Sequence, residues 1–359
     1  MYDYDVILSF ITAFTLTYFA IPSVIHIAKI KNLTDEPGER RSHTESTPSL
    51  GGIAIFAGTL FAIMLWTPFA TYGGDLQYIL CSFIIIFLIG AKDDIDPISP
   101  TKKLVGEILA AAILVFKSDV ILKEGLADIF GVTTVPLFVS VVVTIFTILV
   151  IINAFNLIDG INGLSGSIAT LIAGTLGTWF LLIQRYDMAI VAFSLAGAVV
   201  AFLKYNYTPA KIFMGDTGAL LIGLVCSILT IRFIELDYQL EPGHPFKINA
   251  APAVGIGILI LPLFDTLRVF ITRILNGKSP LYPDRNHIHH LLIDSGLSHM
   301  QATFVLVVVN FIFIVTVFLL QKYTDTLLLI LLITGIAVLM MGGFYVSVVR
   351  RRKKLKAKL

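Results

Sequence analysis

The 359-residue chain is 57% hydrophobic and only 14% charged, with a mean hydropathy of +0.89. A soluble chain of this length needs far more charge to cover its surface, so a globular soluble protein is excluded and a polytopic membrane protein is expected. The net charge of +2 says little by itself and the placement of the charges says more; no nucleic-acid partner is expected.

A spanning helix needs about 20 mostly apolar residues. That rule predicts about eleven spans, near 5–28, 51–70, 76–91, 104–118, 136–153, 164–183, 188–203, 217–234, 249–272, 302–321 and 326–349. The expected fold class is therefore an all-α polytopic membrane protein. Residues 1–349 form one catalytic membrane domain and residues 350–359 a basic cytoplasmic tail. The start MYDYDV carries acids and no basic region, so no cleaved signal peptide is expected. Cys81 and Cys226 lie in apolar runs and read as packing residues without a disulfide.

Lys29, Lys31, Arg40 and Arg41 follow the first span, and Lys92, Lys102 and Lys103 follow the third. Lys204 and Lys211 follow the seventh, Arg273, Lys278 and Arg285 the ninth, and RRRKKLKAKL the last. The opposite loops hold only Lys123, Arg185, Lys247 and Lys322. This asymmetry places the N-terminus outside and the C-terminus in the cytoplasm.

The polar clusters share that inner side. In chain order they are RRSHTESTPSLGG, AKDDIDPISPTKK, NAFNLIDGING, KYNYTPAKIFMGDTG and SPLYPDRNHIHH, one after each odd-numbered span up to the ninth. A carboxylate at mid-bilayer costs roughly 2.5–3.5 kcal/mol. Asp93, Asp94, Asp96, Asp159 and Asp216 are thus expected to line one wet cleft or to bind something cationic.

Clustered carboxylates and amides suit a hard cation, most naturally Mg²⁺ with Mn²⁺ as the alternative. The lysines of PTKK and the Arg–His run of PDRNHIHH suit anionic oxygens. Acids for a metal beside bases for phosphates describe a phosphoryl-transfer centre acting on a diphosphate. MGDTG adds a glycine turn opening a helix whose positive end faces the site. In NAFNLIDGING, a helix end is expected to present Asn153 and Asn156, and a turn Asp159 and Asn162. Pro252 and Pro262 are expected to kink the ninth span and to open a lateral groove for a lipid tail.

In order and wording the motifs DD, NAFNLIDGINGL, FMGDTG and HIHH resemble those of the polyprenyl-phosphate N-acetylhexosamine-1-phosphate transferases. PDRNHIHH is similar to the bacterial WecA and TagO branch of that family. The phospho-MurNAc-pentapeptide translocase branch, the alternative within the family, has three consecutive histidines there and a lysine near the position of Thr44. The resemblance implies that UDP-GlcNAc and undecaprenyl phosphate yield undecaprenyl-diphosphate-GlcNAc and UMP, with Mg²⁺ required. It implies Asp216 and Asn156 as metal ligands, and Asp159, Gly160, Asn162, Asn206 and Phe213 around the nucleotide. Lys103 with Lys102 would hold phosphate oxygens; Arg285, His287, His289 and His290 would grip sugar and diphosphate; and His43 matches a histidine of that branch.

Within the family Asp93, with Asp94 beside it, is the candidate for activating the lipid phosphate. A phosphate monoester is already mostly dianionic at pH 7, so both acids read better as organisers of lysines and metal, with direct attack on the β-phosphorus. A covalent route through Asp93 or Asp159 stays open. The resemblance further implies a homodimer in the bacterial plasma membrane with its site facing the cytoplasm. The rival from another class is a secondary transporter of an anionic metabolite, which requires binding residues near the midplane.

Overall fold

The computed structural model describes residues 3–35, 47–277 and 287–356. The chain opens with α1 (Asp3–Ile30) and a short antiparallel ladder of β1 (Thr34–Asp35) with β2 (Thr47–Pro48). The helices α2 (Gly51–Trp66), α3 (Phe69–Ile95), α4 (Pro100–Lys117) and α5 (Glu124–Phe130) follow, then α6 (Leu137–Ile158), α7 (Leu164–Leu182), α8 (Tyr186–Asn206) and α9 (Gly215–Gln239). The last five are α10 (Ala251–Ile258), α11 (Ile260–Leu275), α12 (Ile288–Asp294), α13 (His299–Leu320) and α14 (Thr326–Lys356). Residues 350–356, expected as a tail, continue the last helix.

Eight of these helices are long and apolar enough to cross a membrane, or nine if α10 and α11 form one bent span. Helices also stand at the two remaining predicted spans. However, α2 has only 16 residues, and α4 carries Lys102, Lys103, Glu107 and Lys117.

The bundle is organised around α9, which is almost wholly buried among α2, α3, α6, α7, α8 and α10. Its run ALLIGLVCSILTI is apolar on every face, as a helix enclosed by other helices must be. Large apolar side chains on the outer helices are exposed instead, Phe138 of α6 and Leu339 of α14 among them. On a chain with this many apolar helices, that surface meets lipid. Cys81 and Cys226 are both free.

The two ends of α9 differ in chemistry. Towards its C-terminus the buried Arg232 donates to Asp75 at 2.9 Å and to the Ser118 carbonyl. Glu235 accepts the N–H groups of Lys123, Glu124 and Gly125, which open α5. These polar groups are spent on holding the fold.

The ninth predicted span is broken by a 78° bend between α10 and α11. Pro262 lacks the N–H that would bond the Ile258 carbonyl, and its ring clashes with that carbonyl in a straight helix. Asn310 of α13 takes over: its Nδ2 donates to the Ile258 carbonyl and its Oδ1 accepts the Leu261 N–H, both at 3.2 Å. The kink expected at Pro262 is therefore present. Pro252 has no part in it, because it lies in the first turn of α10 where a missing N–H costs nothing.

Candidate active site

At the other end of the bundle, the C-terminal ends of α3, α6 and α8 meet the N-terminal ends of α2, α4, α7, α9 and α13. The meeting point is the start of α9. Gly215 has φ +72°, and a Cβ there would lie 2.0 Å from the Ser49 carbonyl oxygen. Glycine alone lets the turn pass between β2 and α3. Asp94 then reaches over from α3 and accepts the N–H groups of Asp216 (2.7 Å) and Thr217 (3.0 Å) and the Thr217 hydroxyl (2.5 Å). It is the cap of α9, a carboxylate set at the positive end of a helix dipole.

Beside that cap, Lys103 links two carboxylates. Its Nζ contacts Asp216 Oδ2 and lies 3.3 Å from Asp93 Oδ2. Asn156 Nδ2 donates to Asp216 Oδ1 at 2.9 Å, and the Ile98 N–H donates to Asp93 Oδ1 at 2.8 Å, closing the α3–α4 loop. One helical turn deeper, the buried Glu107 of α4 accepts Asn153 Nδ2 at 2.8 Å. Two polar layers thus join α4 to α6: Lys103 with Asn156 around Asp216, and Glu107 with Asn153 beneath.

The turn after α6 forms the next wall. Asp159 is the cap residue of α6, and burial, with the charges of Asp216 and Asp94, pushes its carboxyl up to about 7. Asn162 Nδ2 donates to Thr208 Oγ1 at 2.9 Å, and its carbonyl accepts the Thr303 hydroxyl of α13 at 2.8 Å. Asn206 uses both ends of its amide on backbone, accepting Gly163 N–H and donating to the Ile212 carbonyl, so it braces the wall rather than facing into it. Phe213 is half-buried, and its backbone pairs with Pro48 and Gly51 across the base of the site.

The histidine segment, expected as a loop, opens α12 with His287 at its cap. His287 stacks on His289 (centroids 5.8 Å apart, 11° between planes), and His289 lies 4.2 Å from His290. His289 is 1% exposed, and neither ring nitrogen has a hydrogen-bond partner among the described residues. Burial and the neighbouring His290 hold its pKa down at about 3, so the ring is neutral. Its Nε2 would lie 2.2 Å from a Cβ at position 160. Gly160 is thus the residue that lets α12 close on the α6–α7 turn.

Of the sequence-predicted residues, Asp93, Asp94, Lys103, Asn156 and Asp216 form one contact network, and the Asp159–Asn162 turn adjoins it with His289 against Gly160. Asp96 does not converge with the other acids: it follows the last residue of α3 in extended backbone, and is exposed and paired with Lys92. Lys102 is exposed and does not join the acids, whereas Lys103, one residue on, turns inward. His43 and Arg285 lie outside the described residues. Two members escape the sequence reading. Glu107 lies four residues after Lys103 and so on the same helix face, a spacing that marks it. Asp265 is an acid inside a predicted span, a placement too costly to be idle.

The chain matches the glycosyl transferase family 4 model over residues 76–234, which contain both polar layers and the start of α9. It is 30% identical to a probable undecaprenyl-phosphate N-acetylglucosaminyl 1-phosphate transferase of Bacillus subtilis, over 89% of this chain and 86% of that one. The chain belongs to this transferase family. A second member, the undecaprenyl-phosphate alpha-N-acetylglucosaminyl 1-phosphate transferase of Haemophilus influenzae, is 32% identical over 82% of this chain and 81% of its own. A third, the decaprenyl-phosphate N-acetylglucosaminephosphotransferase of Mycolicibacterium smegmatis, is 29% identical over 81% and 76%. The family is one of membrane enzymes, in keeping with a multi-pass bundle whose charged groups gather at one end.

Proposed function

We propose that the protein transfers GlcNAc-1-phosphate from UDP-GlcNAc to undecaprenyl phosphate, releasing UMP, as the first membrane step of a cell-surface polysaccharide pathway. The observation that carries this reading is the Lys103 ammonium between Asp93 and Asp216 at the N-terminus of α9. It is a charged site at the end of an apolar bundle, where a water-soluble nucleotide sugar and a lipid phosphate can meet. The basic loops on that side support a cytoplasmic orientation in a bacterial plasma membrane.

Among the described residues no three His, Cys, Asp or Glu side chains converge as a ready-made metal cage. Mg²⁺ does not need one, since one or two carboxylates and substrate phosphates commonly suffice. The Asp216 carboxylate offers hard oxygen donors, and the Asn156 amide, whose Nδ2 now donates to it, would add its oxygen on turning over, so the pair fits the ion. Bound there, Mg²⁺ would neutralise charge on the diphosphate.

The chain's own groups do the rest. Lys103 would hold phosphate oxygens and leave the carboxylates it now bridges. A lipid-phosphate oxygen attacks the β-phosphorus, the bond to the α-phosphate oxygen breaks, and UMP departs with the charge. Asp94 is saturated by three donors from α9 and is not poised as a nucleophile. Direct attack is preferred because a phosphate monoester is already mostly dianionic at pH 7 and needs no activation; a covalent route would run through Asp93 or Asp159. The apolar crevice between α11, α13 and α14, lined by Leu261, Phe264, Phe313, Met340 and Phe344, supports a lipid tail beside the bend. A transporter would require its binding residues near the midplane, whereas Asp93, Asp94, Lys103 and Asp216 gather at one end of the bundle.

The test is an incubation of purified protein with labelled UDP-GlcNAc, Mg²⁺ and undecaprenyl phosphate. Label in the organic phase with stoichiometric UMP is expected, and Asp216→Asn should abolish it. Absence of lipid-linked label, or full Mg²⁺-dependent turnover by Asp216→Asn, would overturn the assignment it addresses.

A further inference from the structure

Three residues beyond the proline of the bend, α11 carries Asp265, 1% exposed. A carboxylate is costly there unless its oxygens are paired. Oδ1 accepts from the Arg268 guanidinium at 2.9 Å and from the Ile288 N–H at 3.0 Å, while Oδ2 faces His287 Nδ1 at 2.9 Å. One side chain on a bent span thus caps α12 and holds the first ring of the histidine row. An ionised carboxylate can only accept, so the proton of a neutral His287 lies on Nδ1 and Nε2 becomes the acceptor. The parallel stacking of His287 on His289 passes that orientation on to the ring that meets Gly160.

We propose that Asp265 is a positioning residue that fixes His287 as its Nδ1–H tautomer and thereby aims the histidine row at the nucleotide sugar. The proposal rests on the transferase reading above. A purely structural Asp265 would neutralise Arg268 and cap α12, and nothing more.

Asp265→Asn separates the two. Its amide oxygen still accepts the Ile288 N–H, but its NH₂ donates to His287 Nδ1 and forces the proton to Nε2. With full-length purified enzyme, KM for UDP-GlcNAc should rise by about tenfold or more, the scale of loss seen when a histidine's orienting partner is removed. KM for undecaprenyl phosphate should stay within about twofold. In a His287→Ala background, Asp265→Asn should cost less than about twofold more, because the two act as one unit. A fall in kcat with both KM values unchanged, or fold-changes that multiply in the double variant, would overturn the proposal.

A second measurement does not depend on turnover. In ¹⁵N-histidine-labelled protein, the His287 imidazole signal, assigned by its loss in His287→Ala, should report Nδ1–H in the wild type and Nε2–H in Asp265→Asn. An unmoved signal would sink the inference. A moved signal with no lipid-linked product from the wild type would leave the Asp265–His287 tautomer assignment standing and remove the transferase reading, and with it the part of the proposal that names the nucleotide sugar.

Discussion

Replacing Asn310 with leucine tests how the broken span is held. Asn310 is fully buried, and leucine is close in shape, so the change removes two hydrogen bonds without opening a cavity. The average interhelical hydrogen bond in a membrane protein is worth only about 0.6 kcal/mol, because the unfolded chain finds other partners in the bilayer. Here that figure is too small. The Ile258 carbonyl has no helical donor, since its natural partner is the N–H that Pro262 lacks, and the Leu261 N–H lies in the same turn. Two orphaned buried backbone groups cost about 1–3 kcal/mol each. Both bonds are long at 3.2 Å, so a loss of about 2–4 kcal/mol is expected. Thermal unfolding in detergent, followed by circular dichroism, should show a midpoint lower by several degrees. Adding Pro262→Ala returns a donor to the Ile258 carbonyl and should recover part of the loss. An Asn310→Leu protein as stable as the wild type, or a double variant no better than the single, would refute this account of the bend.

Two further outcomes follow from the histidine row. The pKa of His289 is about 3 when folded against about 6.5 unfolded, so the unfolded chain binds a proton that the native one does not throughout the interval between. The stability it contributes is present above about pH 6.5 and is lost as pH falls towards the folded value. Between pH 7 and pH 5 the wild type should lose about 2 kcal/mol more than His289→Gln, and equal slopes for the two would contradict it. Gly160→Ala would set a methyl against a ring held between two others, and overpacking of this kind costs about 1–3 kcal/mol. A fall of about tenfold in kcat/KM for UDP-GlcNAc is expected, with folding retained; unchanged kinetics would mean that α12 can retreat from the turn.

Much of this protein is legible without its structure because helical periodicity and bilayer cost act locally. The run before NAFNLIDGING needed only its own apolarity to be read as a helix, and its glycines to be read as ending in a turn. The structure ends α6 at Ile158 and starts α7 at Leu164. The glycine turn of MGDTG and the kink at Pro262 were visible for the same reason: a special backbone or a missing donor leaves its mark on the residue itself.

What only the tertiary structure decided is which of many equivalent polar groups meet. Nothing local separates Asp96 from Asp93, or Lys102 from Lys103. The helix phase of α4 turns Lys103 inward and leaves Lys102 exposed, while Asp93 sits in the last turn of α3 and Asp96 lies just beyond its end, in extended backbone. Asp94 looked like a catalytic acid beside its neighbour, yet it caps a helix more than 120 residues away, a duty assigned only when α3 packs on α9. Asn153 and Glu107 became a buried pair, and Asp265 the partner of His287, through contacts that join separate helices. The sequence by itself determined where the chain is oily, where it turns and which chemistries gather on one side. Packing around α9 chose the partners, because hydrogen bonds and ion pairs depend on distances set by helices far apart in the chain.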